Sequence, residues 1–271
     1  MDVYNHTNGS LRDFLWDFRG KVHFVDKWYL MTSPMPILAI LLVYLFIVLN
    51  VGPKLMKSRP AMNLNKVLVL YNVIQIFVSI FLFTKGFHLM KAHGFLQRPC
   101  LLNNEKVMMG VTSGIYYYLT AKISELLDTV FFVLRKKQNQ VTFLHVYHHS
   151  GMVLYTWFAL KYEPTYSVVF LGTVNSFIHI IMYLYYGLSA FPSLAKYLWW
   201  KKYITSMQLI QFVLILFHAI ANYAYGSCPP SYVLFSMILF NTAFLLLLFF
   251  NFYVKSYVKN TSSKTAKKKI I

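Results

Sequence analysis

Three histidines close together in the sequence form the group best suited to do chemistry. His145, His148 and His149 follow an H-x-x-H-H pattern at the start of a long apolar segment. In a helix, which turns about 100° per residue, their side chains fall within about 100° of one another and share one face. Imidazole acts as base, acid, nucleophile or metal ligand near neutral pH, so this face is a candidate catalytic site.

A second group of ionisable side chains precedes the histidines. Lys122, Glu125 and Asp128, followed by Thr129, lie in an apolar segment at spacing i, i+3, i+6, which predicts one polar stripe on a helix. Ionisable groups deep in an apolar segment face a bundle interior or an aqueous cavity in most cases. A structural ion pair between Lys122 and Glu125 is the alternative interpretation. The stripe ends at the basic residue Arg135.

Two further polar stripes follow the histidines. The first combines an amide, a histidine and two phenols within about 80° of helical arc: Asn175, His179, Tyr183 and Tyr186. The second repeats the i, i+3, i+6 spacing: Thr205, Gln208 and Gln211. Tyrosines also form interfacial belts, and glutamines also join helices by hydrogen bonds, so both alternatives stay open. Four segments thus carry chemically competent faces.

The elements that must position these faces are membrane helices. The chain has 271 residues, of which 58% are hydrophobic, and this exceeds the content of a typical soluble domain. Apolar runs of about 20 residues match the ~30 Å hydrocarbon core of a bilayer. The predicted spans are 28–51, 64–86, 108–134, 141–160, 165–187, 203–223 and 231–254. A soluble protein with buried helices is the alternative, and seven such runs argue against it.

The basic residues predict how the chain is oriented. A formal charge of +18 would suggest nucleic acid in a soluble protein, but here it reports topology. When loops are assigned alternately, sixteen Lys and Arg fall on one side and nine on the other, which predicts a cytosolic C-terminus. Lys201 and Lys202 lie on the basic side, where they would attract a phosphate-bearing head group. The end Lys268-Lys269-Ile270-Ile271 resembles a dilysine signal for retrieval to the endoplasmic reticulum; contact with anionic lipid is the alternative.

The opposite side carries features of an oxidising compartment. Asn5 and Asn8 begin glycosylation acceptor motifs. Cys100 and Cys228, both in loops on this side, predict a disulfide; two free thiols are the alternative. Residues 1–27 are polar and mixed in charge, so we expect no cleavable signal peptide. The predicted segments are a lumenal arm 1–27, a seven-helix domain 28–257 and a basic cytosolic tail 258–271.

Four polar stripes on otherwise apolar helices predict a tunnel with reactive side chains in its middle and an apolar end. Such a tunnel suits a molecule with a charged head and a long hydrocarbon tail, and long-chain acyl-CoA fits both requirements. Imidazole can attack a thioester directly to give an activated acyl intermediate. Bulky residues of the last two spans are candidates for blocking the tunnel and setting chain length: Phe212, Phe217 and Phe244.

The motifs closely resemble those of the very-long-chain fatty acid elongases, and the resemblance runs from about residue 28 to 257. Four motifs match in order and spacing: Lys122-x-x-Glu125-x-x-Asp128-Thr129, His145-x-x-His148-His149, Asn175-x-x-x-His179-x-x-Met182-Tyr183-x-Tyr185-Tyr186 and Thr205-x-x-Gln208-x-x-Gln211. The stretches 182–191 and 197–202 look like the branch that handles saturated and monounsaturated chains, whereas 150–155 is less typical of that branch. The resemblance implies seven transmembrane helices, six of them forming an inverted barrel around an acyl-CoA tunnel.

The resemblance also implies the condensing step, in which acyl-CoA and malonyl-CoA give 3-oxoacyl-CoA, CoA and carbon dioxide with no bound cofactor or metal. His148 and His179 would be the central imidazoles, with His148 as the preferred acyl carrier. His145 and His149 would position groups or relay protons, and Asp128 would orient an imidazole. The residues expected to bind substrate or stabilise oxyanions are Lys122, Glu125, Arg135, Asn175, Tyr183, Tyr186, Lys201, Lys202, Thr205, Gln208 and Gln211.

Three rival functions make different predictions. A membrane di-iron desaturase or hydroxylase needs about eight imidazole ligands, and only four histidines lie in the stripes. A seven-helix receptor shares the predicted topology but does not require charged stripes, and a lipid transporter does not require the histidine box. A homodimer, and association with the 3-oxoacyl-CoA reductase, dehydratase and enoyl-CoA reductase of the same cycle, are implied only by the resemblance. Membrane lipid is an expected partner and nucleic acid is not.

Overall fold

Helices account for all of the regular secondary structure in the described chain. The computed structural model describes residues 20, 22–96, 104–226 and 229–259, and no strand occurs among them. The helices are α1 Met35–Lys57, α2 Asn65–His93, α3 Glu105–Ser124, α4 Leu127–Leu134, α5 Phe143–Tyr162, α6 Tyr166–Ser189, α7 Lys201–Tyr225 and α8 Tyr232–Tyr253. Since α3 and α4 are separated only by Glu125 and Leu126, they correspond to one predicted segment. The predicted all-α class is therefore confirmed for the described residues.

Five helices are long and apolar enough to cross a membrane. These are α1, α2, α6, α7 and α8, the last continued to Val258. The two other predicted spans, α3–α4 and α5, are less apolar because they carry the ionisable stripe and the three histidines. The protein is thus a multi-pass membrane protein, while a total of seven spans stays a prediction.

Side-chain caps fix where several helices begin. The Asn104 side chain accepts hydrogen bonds from the backbone N–H groups of Lys106 and Val107 at 3.0 and 3.3 Å, which starts α3. Thr142 Oγ1 accepts from the N–H of His145 at 3.2 Å and starts α5. Caps of this type stabilise a helix by about 1 kcal/mol. The Thr142 cap also places the histidines in the first two turns of α5.

The chain forms two compact units. Unit 1 comprises Met1–Asn63 and Leu101–Val169, and unit 2 comprises Leu64–Cys100 and Phe170–Ile271. Unit 1 therefore contains α1, α3, α4 and α5. Unit 2 contains α2, α7, α8 and all of α6 except its first turn.

In unit 1, α1 packs closely on α4. A Cβ atom at Gly52 would lie 2.7 Å from Val133 Cγ1, so only glycine allows this approach without a shift. Just before Gly52, the residues Ile47–Val51 form a π turn, in which Gly52 N–H donates to the Ile47 carbonyl. The Met62 N–H donates to the Leu134 carbonyl at 3.1 Å and holds the segment after α1 to the end of α4.

The segment before α1 is fixed to the last turn of α5 by a buried cation. Lys161 is fully buried, and its Nζ donates to Asp26 Oδ1 and to the Met31 carbonyl, both at 2.6 Å. Trp157 Nε1 donates to the Leu30 carbonyl at 2.8 Å. Lys161, counted as a loop charge from the sequence, therefore belongs to a helix and stabilises the fold of unit 1.

In unit 2, α2 and α6 run antiparallel in close contact. A Cβ atom at Gly86 would collide with the Thr173 hydroxyl, and further along the pair Phe83 packs on Phe177 with ring centroids 5.6 Å apart. Tyr71 packs edge-on against Tyr183 at 6.1 Å. These contacts make the face of α6 that bears Tyr183 an interior face of unit 2.

Helices α7 and α8 pack through aromatic side chains, with the Phe212 and Phe249 centroids 5.1 Å apart. Buried His218 of α7 stacks on Phe170 at 3.8 Å and hydrogen-bonds the Phe95 carbonyl through Nε2 at 2.7 Å. His218, a histidine outside the four polar stripes, is thus a packed residue of unit 2.

Candidate functional site

The ionisable stripe of α3 and α4 is buried in unit 1. The exposed fractions of Lys122, Glu125, Asp128 and Thr129 are 2%, 3%, 9% and 0%. Lys122 Nζ donates to both carboxylate oxygens of Glu125 at 2.9 Å, and it also lies 4.8 Å from the centre of the Tyr118 ring. The ion pair considered from the sequence is therefore present. It joins residues of the same stripe instead of two separate helices.

The three imidazoles of α5 form a cluster beside this stripe. The His145 and His149 ring centroids are 4.3 Å apart, and those of His148 and His149 are 5.4 Å apart. His145 Nε2 lies 3.0 Å from Thr129 Oγ1, so the cluster is hydrogen-bonded to the α4 part of the stripe. His149 is buried, whereas His148 is half-buried. The cluster therefore combines one buried imidazole, His149, with a half-buried one, His148.

Tyr44 of α1 is a member of this group that the sequence analysis missed. Its hydroxyl lies 2.8 Å from Thr129 Oγ1, and both residues are buried. A lone tyrosine in an apolar span carries no helical pattern, so nothing in the sequence pointed to it.

The polar stripe of α6 is the central feature of unit 2. Asn175, His179 and Tyr183 are buried, and the His179 and Tyr183 rings meet edge to face with centroids 5.5 Å apart. Tyr186 continues the stripe at 6.3 Å from Tyr183 but is 37% exposed. The first three residues thus form an interior polar group, and Tyr186 marks where it approaches the surface.

The polar stripe of α7 faces neighbouring parts of unit 2. Gln208 Nε2 donates to Met182 Sδ of α6 at 3.8 Å, and Thr205 Oγ1 lies 3.5 Å from the Tyr257 hydroxyl. Gln211 is 4% exposed, and among the described residues its Oε1 has no hydrogen-bond partner. This stripe therefore joins helices, as the alternative interpretation holds, and also leaves one buried acceptor available.

Helix α2 carries a buried polar stripe that the sequence analysis did not identify. Asn72, Gln75 and Ser79 are 3%, 3% and 4% exposed. They share the face that packs against α6, because Tyr71 contacts Tyr183 and a Cβ at Gly187 would touch Asn72. The spacing i, i+3, i+7 in an apolar segment is the signal that would have revealed them.

Several other predicted positions lie at the periphery. Arg135 is half-buried at the end of α4, and Lys201 and Lys202 are exposed at the start of α7, with Lys202 Nζ 5.7 Å from the Tyr253 ring centre. Phe217 is 72% exposed, so its proposed role in blocking a tunnel is wrong for this conformation, whereas Phe212 is buried and Phe244 half-buried. The remaining predicted features lie outside the described residues: Asn5, Asn8, Cys100, Cys228 and the dilysine end.

Within the described residues, no group of three or more His, Cys, Asp or Glu side chains is arranged to hold a metal ion. The contacts of the imidazole cluster include the ring contacts and the hydrogen bond between His145 and Thr129 described above. This arrangement is suited to nucleophilic and acid–base chemistry.

Known proteins match the chain along most of its length. The model of the ELO family, described as GNS1/SUR4, matches residues 29–265, a range that includes all the polar stripes. Very long chain fatty acid elongase 4 of Homo sapiens is 37% identical over 264 residues, which cover 96% of this chain and 83% of that protein. Very long chain fatty acid elongase 2 of Mus musculus is 40% identical over 249 residues, with coverage of 90% and 84%. Very long chain fatty acid elongase 7 of Drosophila melanogaster is 39% identical over 242 residues, with coverage of 88% and 73%.

Proposed function

The chain belongs to the ELO (GNS1/SUR4) family, and from this premise we propose that it catalyses the condensing step of fatty acid elongation. It is a fatty acid elongase enzyme of the membrane that acts on acyl-CoA. In the proposed reaction a long-chain acyl-CoA and malonyl-CoA give 3-oxoacyl-CoA, CoA and carbon dioxide. Assignment to the branch for saturated and monounsaturated chains stays a prediction.

The observation that carries this proposal is the imidazole cluster of α5 beside the buried stripe of α3 and α4. His148 is the proposed nucleophile because it is half-buried while its neighbour His149 is buried. A C–N bond forms between His148 and the acyl carbon, the C–S bond breaks, and CoA leaves with the imidazole proton. Malonyl-CoA then loses carbon dioxide, and the resulting carbanion attacks the acyl-imidazole carbon. The C–N bond to His148 breaks, and the released imidazole takes up one proton to return to its neutral form.

The other members of the cluster have proposed supporting roles. The His149 ring lies between those of its two neighbours, at 4.3 and 5.4 Å, and would pass protons to and from the nucleophile. Asp128 would orient an imidazole, as a carboxylate does in triad-like sites. Lys122, compensated by Glu125, would hold a positive charge near the developing oxyanion without leaving it unpaired in the free enzyme.

Unit 2 supplies the second proposed set of contacts. In unit 2, taken by itself, His179 is proposed as the second catalytic imidazole, and Asn175 and Tyr183 are proposed as hydrogen-bond donors to substrate. Tyr186, Thr205, Gln208 and Gln211 would contact the rest of the substrate. Lys201 and Lys202 of unit 2 are proposed to attract CoA phosphates, and the same role is proposed for Arg135 of unit 1; the exposure or partial exposure of each side chain supports it.

The cellular setting is part of the proposal. We propose residence in the endoplasmic reticulum membrane, with a lumenal N-terminus and a cytosolic C-terminus, and the unequal distribution of Lys and Arg between the loops supports this orientation. We propose no bound cofactor, since both co-substrates bring their own activated groups. A homodimer and association with the reductase, dehydratase and enoyl-CoA reductase of the cycle fit an enzyme whose product feeds three further steps.

A purified-protein assay tests the proposed function. The wild-type protein is incubated with malonyl-CoA and a series of acyl-CoA substrates of different chain length, and the products are identified by mass spectrometry. We expect 3-oxoacyl-CoA two carbons longer than the substrate, with release of carbon dioxide. A desaturated or hydroxylated product of unchanged chain length would instead establish oxidative chemistry and overturn the proposal.

The nucleophile is tested separately with two histidine variants. His148→Ala should abolish condensation, because no other group forms the C–N bond. His88→Ala, in the exposed part of α2, should retain wild-type turnover. Size-exclusion chromatography confirms that both variants are folded. Wild-type turnover in His148→Ala would rule out the acyl-carrier role.

A further inference from the structure

We propose that Tyr44 is a positioning residue, which acts through Thr129 to fix the orientation of His145 in the imidazole cluster. This inference rests on the proposed condensing function and deepens it. It adds to the site a residue of α1, a helix in which the sequence showed no chemistry.

The three residues form a hydrogen-bonded chain across three helices of unit 1. Thr129 Oγ1 of α4 lies 2.8 Å from the Tyr44 hydroxyl of α1 and 3.0 Å from His145 Nε2 of α5. Thr129 is fully buried and Tyr44 is 5% exposed. No other hydrogen bond of the Tyr44 hydroxyl is seen among the described residues, so Thr129 is the residue that orients this hydroxyl.

The packing of α1 on α4 makes this contact possible. Gly52 allows α1 to approach Val133 of α4 to a distance that a larger residue would prevent. The N–H of Met62 then holds the chain after α1 to the Leu134 carbonyl. These contacts join α1 to α4 and lie outside the hydrogen-bonded chain, so they help to hold the Tyr44–Thr129 pair in place. The pair can therefore serve as a fixed reference for the His145 ring.

A hydroxyl pair is well matched to a histidine that changes protonation. Thr129 has one hydroxyl proton, so it donates to one neighbour while it accepts from the other. With a neutral His145 that accepts at Nε2, Tyr44 donates to Thr129 and Thr129 donates to the imidazole. With a protonated His145, the Nε2–H donates to Thr129 and Thr129 donates to Tyr44. The direction reverses by rotation of two O–H bonds, and no heavy atom moves.

Engagement of Nε2 leaves Nδ1 as the His145 nitrogen that can exchange a proton. Glu125 of the stripe acts electrostatically on His145, Asp128 acts on Tyr44 at the other end of the hydrogen-bonded chain, and His149 lies beside His145 on its own helix. His149 is the closest ring, and it also contacts His148. Fixing the ring of His145 therefore fixes the geometry of the proton path that ends at the proposed nucleophile.

The test compares variants that remove a hydroxyl with variants that keep it. Tyr44→Phe and Thr129→Val should each lower kcat about tenfold, the size expected when a group that orients a catalytic imidazole is lost. The KM for acyl-CoA should change by less than about twofold, because neither residue is proposed to touch the substrate. Thr129→Ser keeps the hydroxyl and should retain turnover within about threefold of wild type.

Two further comparisons test whether the hydrogen-bonded chain of Tyr44, Thr129 and His145 causes the loss of kcat. The double variant Tyr44→Phe/Thr129→Val should be no slower than Thr129→Val alone, because both changes break the same chain. Tyr225→Phe and Thr120→Val make the same chemical changes at exposed positions. Thr120 Oγ1 donates to the Tyr116 carbonyl of its own helix. Both controls should behave as wild type.

The outcomes separate this inference from the proposed function. If the wild-type protein fails to condense, the proposed function is wrong. If wild type condenses and Tyr44→Phe is equally fast, the positioning role is overturned. It is also overturned if Thr129→Ser is as slow as Thr129→Val, because the hydroxyl would then be irrelevant. Should Thr129→Val fail to fold, Tyr44→Phe, which removes a single oxygen, still decides the question.

Discussion

Lys122 and Glu125 show why a charge pair can persist inside an apolar unit. Each side chain is almost fully buried, and the two charges compensate each other at 2.9 Å. The Tyr118 ring adds a favourable surface for the ammonium group at 4.8 Å. Removing one partner leaves the other charge buried without compensation, which costs more than losing both.

This asymmetry gives a prediction about stability. Glu125→Gln alone should lower the free energy of unfolding by about 3 kcal/mol, because the Lys122 ammonium stays buried. The double variant Lys122→Met/Glu125→Gln should recover much of that loss, since no charge remains. Thermal unfolding in detergent measures the stability of both variants. If the double variant is less stable than Glu125→Gln, the pair is not compensating charge.

At the scale of a helix, α7 separates an interior face from an exterior one. Phe212 is 3% exposed and packs on Phe249 of α8, whereas Phe217, little more than one turn later, is 72% exposed. Only the first lies where it can limit the length of an enclosed acyl chain.

The two phenylalanines therefore make a matched pair of substitutions. Phe212→Ala should shift the preferred acyl-CoA toward longer chains, because it removes a buried ring. Phe217→Ala should leave the preference unchanged. The product distribution from a mixed acyl-CoA series measures the shift. An unchanged distribution in Phe212→Ala would mean that the acyl chain does not reach this part of α7.

At the scale of the whole molecule, local patterns and distant contacts were not equally predictable. The clustering of His145, His148 and His149 follows from helical spacing alone, so the sequence predicts it. Tyr44 contacts Thr129 across 85 residues, and Lys161 contacts Asp26 across 135. No periodicity encodes such pairs, because they depend on how helices and segments pack together.

The membrane assignment shows the same division. Hydropathy identifies five helices that can cross a bilayer, because apolar length is a local property. The segments with the ionisable stripe and the histidines are less apolar, since residues with a proposed function replace apolar ones there. The predicted inverted barrel depends on the arrangement of all the helices, which a linear pattern does not determine.

The predicted disulfide between Cys100 and Cys228, which lie outside the described residues, is tested by alkylation. We expect neither thiol to react with an alkylating reagent in unfolded protein until a reductant is added. After reduction, alkylation should increase the intact mass of the protein by the mass of two labels. A disulfide would stabilise the fold by about 2–4 kcal/mol, so reduction should also lower the melting temperature. Two labels without reductant would show free thiols.

The π turn in α1 has a consequence for the number of residues that this helix can lose. Tyr44 and Gly52 both face α4, although they are eight residues apart and two regular turns need only about seven. The wider turn at Ile47–Val51 takes up the extra residue. Deleting exposed Leu49 should therefore convert α1 to a regular helix, and condensation should survive. Deleting Ile80 from α2, which is a regular α-helix without a π turn, should displace half of that helix and unfold the protein. Equal loss of activity in both deletion variants would contradict this role of the π turn.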